Sequence, residues 1–176
     1  MNAQLQSALN KLESDRKALF ADLQQYPDEL LNKKPSPEAW SVAEVIGHLL
    51  TAEEMSLAYL KKKVQDTSSA KPEGLKQKWR WLLVQVVFTF DIKFKAPDIV
   101  TPKIGYTTLA ELDKRWSDTR RQTTAILNTL SDKELNSQLW KHAIAGKLNL
   151  YHMLAFFGIH FNRHKKQIAR TLKAVK

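Results

Sequence analysis

Cysteine is absent from the 176-residue chain. That excludes disulfides, cysteine-ligated zinc and a nucleophilic protein thiol together. Glycine (5) and proline (6) are scarce, which favours long helices over many turns. No run of about 18 apolar residues occurs, so no membrane span is expected. The opening "MNAQLQSALNKLESDRKALF" is polar and amphipathic and has no apolar signal-peptide core. A cytoplasmic location is the default expectation.

Basic residues are in excess. Lys and Arg number 28 against 18 Asp and Glu, giving a net charge of +10. The charges are scattered, with small clusters at Lys61 to Lys63 and from Arg163 to Lys176. No nucleic-acid-reading motif accompanies them, so solvated helix faces are expected rather than a nucleic acid partner. A nucleic-acid-associated protein remains a third class of function, recognisable by steeply salt-dependent binding.

Hydrophobic periodicity organises the chain into helices. Leu5, Leu12, Leu19, Phe20 and Leu23 mark a first helix over residues 2–25, ending before Pro27. A short helical turn is expected at Asp28 to Asn32. Ser41 and Glu44 form a capping box, so a second long helix should run from Val42 to Gln65. Its inner stripe is Val45, His48, Leu49, Ala52, Met55 and Tyr59. The segment Trp79 to Phe90 is apolar nearly all round. A buried strand is one reading, given its β-branched and aromatic residues. A helix is preferred, because the flanks are Lys-rich and the length suits one. It forms either core or a face for a homodimer.

"PDIVTPKIGYTT" reads as a linker. Thr108 and Glu111 cap a helix from Leu109 to Leu130, with Leu112, Trp116, Thr119, Thr123, Ile126 and Leu130 inward. Ser131 and Glu134 open a further turn. "WKHAIAGKLN" reads as a loop turning at Gly146, and Asn149 caps a last helix from Leu150 to Ala174. Its inner face holds Leu150, Met153, Leu154, Phe157, Phe161, His164 and Ile168, with His160 beside that stripe. One domain over residues 1–176 follows, all-α: a four-helix bundle with an extra apolar helical segment between its second and third helices.

The histidines carry the chemistry. His160 and His164 are four apart on one helix, so their Cβ atoms lie roughly 5–6 Å apart on one side. That spacing alone is weak evidence for a metal. His48, on the inner side of another long helix, strengthens it, because bundles build metal sites from inward side chains of facing helices. Three imidazoles with an open fourth position suit catalytic zinc, and imidazole also suits nickel, iron and copper.

Other residues have two readings each. Glu44 could orient His48, but its capping role is simpler. His142 either lines the mouth of the site or is a solvent-exposed loop residue, and His152 reads as surface. Trp40 and Trp116 read as core. Glu53 or Glu54 could be a base near the metal. Arg120, Arg121 and Arg163 could meet an anionic group, though solvated faces are the simpler reading.

Two stretches carry a family resemblance. They are "WSVAEVIGHL", residues 40–49, and "HAIAGKLNLYHMLAFFGIHFNRHKKQI", residues 142–168. In order, spacing and overall length they resemble the DinB/YfiT-like superfamily of metal-binding four-helix bundles. The resemblance implies one divalent metal, commonly zinc or nickel, on His48, His160 and His164. It also implies kinship with transferases and isomerases that use a low-molecular-weight thiol such as bacillithiol or mycothiol. A metal-dependent thiol S-transferase or hydrolase acting on a small molecule is therefore expected. The alternative is a non-catalytic metal-binding or protein-interaction bundle.

Overall fold

The computed structural model describes residues 2–89 and 105–176. Seven helices and one small hairpin form among them: α1 (Ala3–Leu23), α2 (Asp28–Asn32), α3 (Val42–Lys63), α4 (Leu75–Thr89), α5 (Leu109–Leu127), α6 (Asp132–Leu135), β1 (Trp140–His142), β2 (Gly146–Leu148) and α7 (Leu150–Val175). The fold is all-α in kind. The long helices α1, α3, α5 and α7 make a four-helix bundle, in which α1 and α3 each pack on both α5 and α7.

Local chemistry starts these helices where expected. Ser41, Thr108 and Ser131 each accept the backbone N–H three residues on, and Glu44, Glu111 and Glu134 each reach back to the cap. Each box satisfies two backbone donors that have no partner inside the helix. Asn149 caps α7 by accepting the N–H of His152. The helix ends differ slightly from the periodicity: α3 stops at Lys63 and α5 at Leu127.

The core has two clusters. One gathers Leu19, Phe20 and Leu23 of α1, Val45, Ile46 and Leu49 of α3, Trp116 of α5, and Phe161 and Ile168 of α7. The other joins Leu5, Leu12, Leu60, Leu127, Trp140 and Phe157. Along α3 the buried row passes from Leu49 to Glu53, Leu57 and Leu60. Met55, expected inside, is exposed, and Ala52 and Tyr59 are half-buried. The buried row leaves the expected stripe because Glu53 and Ser56 find partners inside the bundle. Glu53 pairs with Arg120, and Ser56 Oγ accepts the Trp140 indole N–H at 3.0 Å.

The expected loop at "WKHAIAGKLN" is a β-hairpin. Trp140 lies opposite Leu148 and His142 opposite Gly146. Trp140 and His142 point inward and Lys141 outward, as a strand requires. Gly146 has φ of 75°, which glycine adopts without a Cβ clash. The hairpin packs on α3, α4 and α7.

The apolar segment after residue 74 is helical through Thr89, as preferred from sequence; Phe90 and residues 91–104 of the following connection lie outside the described residues. Helix α4 packs on α7 with Trp81 and Val84 buried. Trp79, Leu82, Leu83 and Val86 face outward. Among the described residues, no helix is long and apolar enough to cross a membrane.

Candidate metal centre

Helices α3 and α7 are neighbours in the bundle, and their contact brings the three histidines together. His48 sits in the second turn of α3, just after the Ser41 cap. His160 and His164 follow each other by one turn of α7. One ring nitrogen from each lies within 4.8 Å of the other two. His48 Nε2 and His160 Nε2 are 3.0 Å apart. Among the described residues no further His, Asp or Glu joins this group.

The three differ in burial. His48 is 3% exposed and His160 6% exposed, while His164 is only half-buried. Placing His164 on the inner stripe and His160 beside it therefore reverses the observed order. The rings stack into the aromatic wall around them. His160 lies parallel to Phe156 at 5.0 Å between centroids. Trp40 lies 5.1 Å from His48.

Burial holds the His160 imidazole well below its ordinary pKa, and neighbouring His164, His48, His142 and Arg163 push it the same way. The ring is thus neutral in the physiological range, which is the state that offers a lone pair to a cation. His164 Nδ1 is 2.8 Å from Gln167 Oε1. An amide oxygen can only accept, so Nδ1 carries the proton and Nε2 keeps the lone pair. Gln167 is one turn beyond His164, an i, i+3 relation that any helix reading makes available once α7 is drawn.

A cavity of about 750 Å³ opens beside the histidines. Trp40, Tyr59, Phe88, Trp140 and Phe156 give it aromatic walls, and Lys141, Arg163 and Glu38 give it charge. The exposed and half-buried Met55, Ala52 and Tyr59 of α3 also face it. Trp116 is core as expected, and the half-buried Trp40 packs against the same core cluster while also walling the cavity.

His142 is the residue that sequence left between two readings. It lines the cavity and is 5% exposed. Its Nδ1 accepts the backbone N–H groups of Ile144 at 3.2 Å and Ala145 at 3.0 Å. Burial lowers its pKa from 6.5 to about 4.

Other candidates go elsewhere. His152, expected at the surface, is half-buried, stacked on Trp81 at 4.7 Å and bonded to Glu73 at 2.8 Å. It ties α7 to the start of α4. Glu44 belongs to its capping box and to Lys34 at 2.8 Å. Glu53 is buried against Arg120, and Glu54 pairs with Arg115 at 3.0 Å on the surface. Arg121 is exposed and paired with Asp118. Of the three arginines singled out, Arg163 alone lines the cavity.

A four-helix bundle with three clustered imidazoles on the wall of an aromatic cavity defines a class of histidine-lined helical bundles. This chain belongs to the DinB superfamily, whose family profile matches residues 11–168. It is 28% identical over 147 residues to the uncharacterized protein YuaE of Bacillus subtilis (strain 168), a match covering 84% of this chain and 86% of YuaE.

Proposed function

We propose that His48, His160 and His164 hold one divalent metal ion, zinc or nickel, and that the adjoining cavity receives a small molecule for S-transfer with a low-molecular-weight thiol or for hydrolysis. The observation that carries this reading is the convergence of three imidazole nitrogens within 4.8 Å of one another at the edge of that cavity. Imidazole donors suit both metals. His160 is kept neutral by burial, and the Gln167 contact at Nδ1 leaves the His164 lone pair on Nε2. Without a metal, two buried Nε2 atoms 3.0 Å apart can share one proton at most, so double protonation of the pair is disfavoured.

The donor set supports a reactive rather than a closed site. Structural zinc takes four protein ligands, whereas three histidines leave one position for another molecule. A divalent ion held there would supply Lewis acidity, drawing the proton from a water or thiol near neutral pH. The chain's own residues do the rest. Aromatic walls limit water around the reacting group, and the lining Arg163 favours negative charge. With no cysteine in the chain, a thiol for S-transfer would come from the bound small molecule.

Metal content tests the reading. Untagged protein purified without added metal or chelator is measured by elemental mass spectrometry beside His48→Ala and His164→Ala. About one equivalent of zinc or nickel, lost in both variants, is expected of a single three-histidine site. A wild type that carries neither metal and takes up neither on addition overturns it.

A further inference from the structure

We propose that His142 is a fixed hydrogen-bond donor that positions the acidic oxygen of a small organic anion in the cavity beside the three histidines. The inference rests on the reading of that cavity as the substrate site. His142 Nδ1 accepts two backbone N–H groups, from Ile144 and Ala145. A nitrogen that accepts cannot also carry a proton, so the ring proton of His142 is on Nε2. The same two bonds oppose double protonation, because a second proton would have to sit between Nδ1 and both amide donors.

His142 therefore offers the cavity a donor and no acceptor. It cannot serve as a general base there, and its Nε2 can ligate a metal only by losing that proton. His142 lines the same cavity but stands outside the cluster of three. Among the described residues Nε2 has no hydrogen-bond partner in the protein, although Nδ1 has two. A donor held in one tautomer by its own backbone, and without a protein partner in a residue that lines the cavity, is available to an acceptor on a ligand.

The surroundings select the kind of acceptor. Lys141 and Arg163 line the same cavity, and Glu38 is the one carboxylate among its lining residues in the described parts of the chain. The rings of Trp40, Phe88, Trp140 and Phe156 suit an apolar or aromatic body. An aryl carboxylate has both features.

Phenylacetate and phenylacetamide are the probes. Both are titrated by calorimetry into the full-length wild type and His142→Asn, each chelator-treated and zinc-loaded. Asparagine keeps a side-chain oxygen able to accept the turn's N–H groups and removes the distal donor. Long-range proton–nitrogen spectra of the histidine rings report the His142 tautomer independently of any variant. The expected result is an Nε2–H tautomer at neutral pH and tighter binding of phenylacetate than of the amide. Binding of phenylacetate should be about tenfold or more weaker in His142→Asn, in both metal states, as for loss of a hydrogen bond to a charged group. An Nδ1–H tautomer, absence of phenylacetate binding, or equal binding by the variant overturns the inference. Equal binding is the outcome if Nε2–H only rests against the Phe156 ring, 4.6 Å away between centroids. Zinc uptake with any of those three results leaves the metal reading standing and removes this one. His142-dependent binding in a protein that takes up no metal does the reverse.

Discussion

Arg120 on α5 forks onto Glu53 on α3, sending Nε and Nη2 to the two carboxylate oxygens at 3.0 and 2.8 Å. Both side chains are nearly sealed from water, at 10% and 6% exposed. Arg120 Nη1 also donates to the Leu12 carbonyl of α1, so one guanidinium ties three of the four bundle helices. Its face lies 4.9 Å over the Trp116 ring. Both residues look from sequence like site chemistry, an acid for a base and an arginine for an anion. They are instead each other's partner, and Glu53 faces the bundle interior.

Breaking this pair should cost far more than the pair itself contributes. Glu53→Leu leaves the buried guanidinium with only the more distant Glu13, at 3.8 Å, as counter-charge, and Arg120→Met leaves a buried carboxylate. Each should lower stability by about 3–5 kcal/mol, while the double variant recovers much of the loss because no lone buried charge remains. Urea denaturation of the four proteins measures the coupling. Additive losses would show that the two groups do not depend on each other.

The buried histidines should make the protein acid-sensitive before its carboxylates titrate. The unfolded chain protonates His142 near pH 6.5, whereas the folded chain resists until about pH 4. Between those values the unfolded state binds more protons, so stability falls as the pH falls. His142 alone accounts for roughly 3 kcal/mol, lost progressively and complete by about pH 4. His160, also lowered by burial, acts in the same direction. In the presence of chelator, the urea midpoint of the wild type should drop steeply from pH 7 to pH 4. His142→Asn should show a flatter profile over the same range. Parallel profiles would mean that His142 takes its proton as easily folded as unfolded.

Sequence order and periodicity carry the bundle, because capping boxes and apolar stripes are local. Ser41 and Glu44 announce the start of α3, and once α3 and α7 are drawn as neighbours, His48 meets His160 and His164. What stayed hidden depends on distant partners or on very short elements. Strands of three residues, Trp140–His142 and Gly146–Leu148, are too brief for alternation to stand out from a loop. The burial of Glu53 is set by an arginine 67 positions away. The tautomer of His142 is set by amides of its own turn, which only the hairpin brings round. For α4 the apolar composition names a helix with too much greasy surface, and the structure leaves Trp79 and Leu83 outside.

Gln167 offers the finest test of the metal reading, because it lines the cavity and is hydrogen-bonded to His164. Its Oε1 accepts the Nδ1–H of His164 at 2.8 Å, so the ring is oriented and its lone pair is committed to Nε2. Gln167→Leu removes that restraint without removing any of the three imidazoles. The bundle should keep its stability to within about 0.5 kcal/mol, since Gln167 is only half-buried and its partner stays accessible to water. Zinc affinity should fall about 10–100-fold, as for loss of a partner that orients a ligating histidine, with one equivalent still bound at saturation. Gln167→Glu should retain the affinity, because a carboxylate accepts the same Nδ1 proton more strongly. Competition with a chromogenic chelator gives both affinities. Wild-type affinity in Gln167→Leu would show that His164 needs no orienting partner. Loss of the whole equivalent, rather than of affinity, would place Gln167 among the ligands themselves.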